Sequence, residues 1–236
     1  MKEEKSLPTG RQGHLHPVTG IINELTELFE GMGFSVATGP EMEDEWHNFD
    51  ALNVPKDHPA RDMQDTFWLD NKKLLRTHTS PVQIRYMEEN SVPLAIIAPG
   101  KVFRNETTDK THEAQFHQIE GLVVGKNISV ANLKFYLDVM VKKLFGEDFE
   151  IRLRPSFFPF VEPGFEVDIR KEGGKWLEIL GAGMVHSNVL NSAGINPNEY
   201  SGFAFGVGVD RLLMMKHGIE DIRDLYNGDL RVISQF

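Results

Sequence analysis

The chain contains no cysteine in 236 residues, which excludes disulfides, thiolate catalysis and any cysteine-ligated metal site. That absence fits a reducing compartment. No apolar run approaches the roughly 18 residues that span a bilayer, and no apolar signal-peptide core follows the N-terminus. Basic residues are few: 25 Lys and Arg stand against 35 Asp and Glu, a formal charge of −10. A surface of that sign does not hold a polyanion by electrostatics alone, so a large nucleic-acid partner would take most of its phosphate contacts elsewhere. Familiar catalytic patterns are missing as well. There is no GxSxG elbow, no HExxH pair, no GxGxxG loop and no P-loop lysine. His112 and His117 lack metal-ligand spacing, and His14, His47, His58, His186 and His217 read as structural or surface residues.

What remains is an ordinary soluble composition, 40% hydrophobic and 25% charged. Met1 to His16 is polar and aperiodic, and residues 1–12 read as a fraying leader before a single domain over 13–236. From Pro17 the apolar positions Val18, Ile21, Ile22, Leu25, Leu28, Phe29 and Met32 keep helical spacing, and Gly31 and Gly33 close the helix. A short strand over Phe34 to Thr38 stops at Gly39-Pro40. Glu41 to Asp65 reads as a long ordered loop. A strand over Leu74 to His78 leads to a helix from Ser80-Pro81 to Glu89, with Ser80 as a candidate cap. A strand from Leu94 enters a hairpin, Ser129 caps a second long helix, and strand-like runs follow at 150–154, 165–170, 176–186 and 202–206. A last helix covers Val209 to His217. Strands outnumber helices and hairpins dominate, so the class is α+β with a mainly antiparallel sheet.

Four stretches carry chemistry. In KVFRNETTDKTHEAQFHQIEG, from Lys101 to Gly121, alternation puts Arg104 and Glu106 on one face of the first strand, and Phe116, Gln118 and Glu120 on one face of the second. A guanidinium for phosphate, a ring for stacking and carboxylates for an amine suggest a nucleotide beside an amino compound; a charged surface ribbon is the plain alternative. In FAFGVGVDRLLMM, Gly206 and Gly208 allow close approach where a strand feeds a helix carrying Arg211, or simply form a glycine-rich corner. In RPSFFPFVEPGFE, Phe158, Phe160 and Glu162 are expected on one strand face, as an aromatic pocket with an oxygen ligand or as a Phe-lined core. His78, Thr79 and Ser80 form the fourth cluster.

In order and spacing, the segments RTHTS, APGKVFRNE, FHQIEG, FFPFVEP, WLEILGAGMVH and YSGFAFGVGVDR resemble the catalytic domain of class II aminoacyl-tRNA synthetases. Among these the chain is most similar to the α-subunits of bacterial phenylalanyl-tRNA synthetases. The unit ending at Pro40 is similar to motif 1 of the class, FRNE to motif 2 and GVGVDR to motif 3. The resemblance implies a class II fold, and activation of L-phenylalanine with ATP and Mg²⁺ followed by transfer to tRNA-Phe. A phenylalanine-binding sensor without tRNA charging is the alternative. The resemblance implies that Arg104 holds the α-phosphate, Glu106 the adenine amine and His112 the terminal phosphates, with Phe116 and Arg211 on the two adenine faces. His78, Ser80, Gln83, Gln118 and Glu120 are expected to position the ends of phenylalanine, with Trp46 closing over them. Phe158 and Phe160 are expected to sandwich its ring over Ala204, and Glu162 to bind magnesium. A β-subunit in an α2β2 assembly, a cytoplasmic location and no membrane contact are further implications. So is a catalytic domain without the family's N-terminal coiled-coil arm, since Met1 to Gly10 shows no heptad.

Overall fold

Pro17 opens the first helix, α1 (Pro17–Gly31), where its missing N–H costs nothing, and the His16 ring accepts from the Val18 amide at 3.2 Å as the cap. The computed structural model describes residues 15–62, 65–233 and 235–236, so the expected leader lies outside the described residues. Gly33 adopts a positive φ of 88°, which releases the chain into β1 (Ser35–Val36). The stripe Val18, Ile21, Leu25 and Phe29 is buried against the sheet, each side chain contributing roughly 1.5–3 kcal/mol.

The segment expected as one long loop has short elements of its own. These are β2 (Met42–Glu43), a π-helical turn at Trp46–Asp50 and a 3₁₀ turn at Pro59–Arg61. Buried Arg61 organises it, donating to Glu45 at 2.8 Å, to Asp50 at 2.7 Å and to the Val54 carbonyl, with its guanidinium 4.9 Å from the Phe49 ring centroid. Neither the turns nor this anchor is periodic, which is why alternation and helical spacing miss them. β3 (Leu74–Leu75) pairs with β2 as a separate two-stranded sheet.

Next come α2 (Ser80–Glu89), β4 (Leu94–Phe103), β5 (Gln115–Gly125) and α3 (Val130–Phe145), then β6 (Phe149–Phe158), β7 (Val161–Lys171) and β8 (Leu177–Val185). A short α4 (Ser187–Ser192), β9 (Ser201–Gly208), α5 (Val209–His217), a 3₁₀ turn at Ile222–Leu225 and a final α6 (Leu230–Ile233) complete the order. The main sheet runs β1-β4-β5-β9-β8-β7-β6; every pairing is antiparallel except β1 with β4. The expected α+β class holds. One apolar cluster lies between the sheet and α1, α3 and α5, and a second lies toward α2 and α4.

Register positions the site. Glu120 of β5 faces Gly206 of β9, Gly206 faces Gly181 of β8, and Gly181 faces Glu166 of β7. Cross-strand partners share a face. Two glycines beside Glu120 therefore leave a trough open on that face.

Candidate active site

A cavity of about 490 Å³ opens on this trough, the size of a small-molecule pocket. Ten expected residues line it: His78, Ser80, Gln83, Arg104, Glu106, Gln118, Glu120, Phe158, Phe160 and Ala204. They come from β5 and β9 in the floor, from the end of β6 and the turn before β7, from the start of α2 and the residues before it, and from the loop after β4.

Glu120 is 5% exposed and is held by neutral donors: Ser80 Oγ at 2.6 Å, Gln83 Nε2 at 2.8 Å and the Thr79 amide at 3.1 Å. Burial pushes its carboxyl up to about 7, against those hydrogen bonds and the pull of Arg104. The same bond settles the role of Ser80. Thr79 occupies the cap position of α2 without a side-chain bond, and the Ser80 hydroxyl serves Glu120 instead. Nearby, the buried Oε1 of Gln118 has no partner, so a second acceptor on the same face awaits a donor. His78 stays neutral. Burial, with Arg104 and Arg76 adding repulsion, lowers it to about 3, and its Nδ1 is likewise unpartnered.

Arg104 lies just past β4 rather than in it. Its amide still bonds the Ala114 carbonyl at 3.0 Å, but the next amide, of Asn105, turns away to Asp65, which ends the ladder. The Arg104 Nε donates to the Thr77 carbonyl at 3.2 Å, its Nη1 stands 4.0 Å from Glu106, and its guanidinium lies 5.0 Å from the Phe116 ring centroid. Guanidinium and carboxylate thus converge as expected, through an irregular segment instead of a strand face.

The aromatic pair also differs from expectation. Phe158 ends β6 and Phe160 sits in the turn before β7, so they and Glu162 share no strand face. The turn nonetheless brings both rings to the cavity, 6.0 Å apart and 20° from parallel. Stacked on each other, they form one aromatic wall of the cavity. Glu162 does not line the cavity; its side chain is 78% exposed and 3.3 Å from His186 Nε2.

His112, Phe116, Arg211 and Trp46 do not line the cavity. Asp109 holds His112 in the exposed loop, its carboxylate accepting from the Thr111 and His112 amides, and those bonds keep Asp109 well below the usual carboxylate range. Exposed Arg211 starts α5 and donates to the Glu178 carbonyl at 2.9 Å. Trp46 is exposed in the π-helical turn. Beside it, Glu43, Asp44 and His47 are close enough to share an ion, but Arg85 already binds both oxygens of Glu43, at 2.9 and 2.5 Å.

The sequence reading missed the apolar lining: Leu52 and Ala60 from the segment before β3, Val161 from β7, and Val185 and Val189 around α4. Val185 ends β8 and Val189 lies in α4, so no single periodicity links them. Leu52 carried no signal.

The family described as tRNA synthetases class II core domain (F) matches residues 4–236. The phenylalanine–tRNA ligase alpha subunit of Proteus mirabilis is 55% identical over the whole chain, which spans 72% of that relative. The namesake subunit of Bacillus subtilis is 56% identical over 95% of the chain and 69% of its own length. Among solved structures, pyrrolysyl-tRNA synthetase from Desulfitobacterium hafniense superposes with a TM-score of 0.71 at 21% identity, covering 89% of this chain and 73% of that one; this likeness speaks to the fold.

Proposed function

The chain belongs to the family of class II tRNA synthetase core domains, with the α-subunits of bacterial phenylalanine–tRNA ligases among its relatives, and on that premise we propose that it activates L-phenylalanine for attachment to tRNA-Phe. One observation carries the reading. A single cavity sets buried Glu120 and the unpartnered Gln118 oxygen on its floor, beside the Phe158–Phe160 wall and below Arg104. An ammonium satisfies the acceptors, a phenyl ring meets the wall, and a phosphate meets the guanidinium.

The chemistry follows from that order. A carboxylate oxygen of phenylalanine attacks the α-phosphorus of ATP in line, forming phenylalanyl-adenylate and breaking the bond to pyrophosphate. A carboxylate needs no general base, so neutral His78 is free to bind and orient. Ser80 and Gln83 hold Glu120 in place, and Glu120 with Gln118 receives the ammonium. Arg104 stabilises charge on the reacting phosphate, Glu106 accepts from the adenine amine, and Phe116 and Arg211 close on the base, with His112 toward the terminal phosphates. Trp46 closes over the amino end. Ala204, a small side chain in the floor, leaves room for the para end of the ring. The 2′-hydroxyl of the tRNA's terminal adenosine then attacks the adenylate carbonyl and AMP leaves.

Exposed Glu162, 3.3 Å from His186 Nε2 and outside the cavity lining, offers the hard oxygen that magnesium prefers, at a site the partner subunit would share. An ion held there would supply fixed positive charge outside the cavity. Relatives named as alpha subunits support a β-subunit partner in an α2β2 assembly, and work in translation supports a cytoplasmic location. Among the described residues no helix is long and apolar enough to cross a membrane.

The test is ATP–pyrophosphate exchange by the assembled enzyme across a panel of amino acids. Exchange with phenylalanine above all others is expected. Exchange with another acid overturns the assignment, and phenylalanine binding without exchange returns the sensor reading.

A further inference from the structure

Behind the amino-acid end of the cavity sits a buried cation that touches no carboxylate. Arg76 is 4% exposed, and among the described residues it makes no ion pair. Its guanidinium is spent on main chain: Nε donates to the Lys101 carbonyl at 2.7 Å, and Nη1 donates to the Gly39 and Pro40 carbonyls at 3.1 and 3.4 Å. Its own backbone is bonded on both sides, to the Glu41 carbonyl and the Phe103 amide, each at 2.9 Å. The fork lies flat on Gly100, where an added Cβ would come within 2.2 Å of Nη2.

A charge this deep is expensive to bury, and well-packed apolar residues fill such a space at least as stably. Its position explains its use. Residues 76–80 are the segment from which the cavity takes its upper contacts. Thr77 holds Arg104 through its carbonyl, His78 and Ser80 line the cavity, and the Thr79 amide bonds Glu120. We propose that Arg76 is a positioning residue for the amino-acid end of the site, tying segment 76–80 to the Gly39 and Pro40 carbonyls and to β4 while keeping a fixed positive charge behind His78 and Glu120. This rests on the reading of the cavity as an amino-acid site.

The charged and titratable groups facing Arg76 are Glu41 and Glu43 from β2 and the chain before it, Glu120 from β5, His78 two residues on, and Arg104 from the loop after β4. Its charge favours the ionised form of Glu120 and the neutral form of His78. Both are the forms that receive a zwitterionic ligand's ammonium and leave a neutral imidazole beside it. The two functions separate by substitution. Lysine keeps the charge and loses the fork; methionine loses both; Gly100→Ala keeps the arginine and crowds it.

The experiment measures exchange kinetics of the assembled enzyme for the parent, Arg76→Lys, Arg76→Met and Gly100→Ala, between about pH 5.5 and 8.5. In Arg76→Met the KM for the activating amino acid is expected to rise at least about tenfold, with the KM for ATP changed less than about threefold. The acid limb of its kcat/KM moves to higher pH, because Glu120 has lost a stabilising cation. Arg76→Lys keeps the parental acid limb with a raised KM, and Gly100→Ala reproduces that raised KM. An unmoved acid limb in Arg76→Met, or equal rises in both KM values together with a lowered melting temperature, overturns the proposal. Should Arg76→Met fail to fold, parental KM values in both Arg76→Lys and Gly100→Ala overturn it equally. If the parent prefers an amino acid other than phenylalanine, the functional reading fails while the Arg76 comparison is still scored on that acid.

Discussion

The Ser80 hydroxyl donates to Glu120 Oε2 at 2.6 Å, so the first turn of α2 and the middle of β5 share one buried carboxylate. The bond is made across 40 residues of chain and fixes where an ammonium can be received. The surrounding donors are all neutral, so the carboxylate keeps unspent charge for a ligand.

Glu120 has its carboxyl raised from an ordinary 4.5 to about 7 by burial. A raised folded-state value means that its contribution to stability is complete below the unfolded value and is lost as pH climbs through the folded one. Glu120→Gln, which cannot ionise, therefore gains on the parent between about pH 5 and 8, by on the order of 2 kcal/mol. Urea denaturation at the two ends of that range measures it, and a flat stability difference would sink the claim. The same variant should lose phenylalanine-dependent exchange.

Arg104→Ala removes the cation that faces the cavity beside Glu106. Exchange should fall by about 10²–10³-fold, in kcat more than in KM for phenylalanine. Retained exchange would remove Arg104 from the phosphate role.

Phe158 can be perturbed from either side. Phe158→Ala should raise the phenylalanine KM by roughly 30-fold through lost apolar contact of about 2 kcal/mol. Gly181→Ala places a Cβ 3.0 Å from the Phe158 ring and should raise it several-fold by shifting that ring. Steady-state kinetics should show the ATP KM nearly unchanged in both. An effect on ATP alone would reassign the ring.

Tyr226 donates its hydroxyl to buried Asp210, whose other oxygen accepts the His117 amide at 2.7 Å. Tyr226→Phe leaves that carboxylate oxygen without its partner, at a cost of about 1–2 kcal/mol. Chemical denaturation should register the loss while exchange stays within about threefold of the parent. Unchanged stability would show that water replaces the hydroxyl at no cost.

Much of the architecture was legible because it is periodic. The stripe of α1, the stripe of α3 and the alternation along β5 each state which face is buried, and Phe116, Gln118 and Glu120 do share β5. The cavity was legible where its residues sit in such elements. It was illegible where they do not. Arg104 follows a strand end, Phe158 and Phe160 flank a turn, and Leu52 and Ala60 belong to a segment anchored by Arg61 through contacts that no spacing announces. Ser80 shows the limit most plainly. Its identity suits a helix cap and a carboxylate partner equally, and only the proximity of Glu120 chooses between them.

By itself the amino-acid sequence determined the elements and the chemical types available: no thiol, few cations, a hairpin with a guanidinium and carboxylates, and a Phe-rich turn. These follow from local sterics and periodicity, which act over a few residues. The tertiary structure decided which of them meet. Two glycines beside Glu120 in the sheet register open the trough, burial sets the protonation of Glu120 and His78, and Arg76 reaches from just past β3 to the Pro40 carbonyl 36 residues away. Distance and desolvation belong to no single segment, so they exist only once the chain is folded.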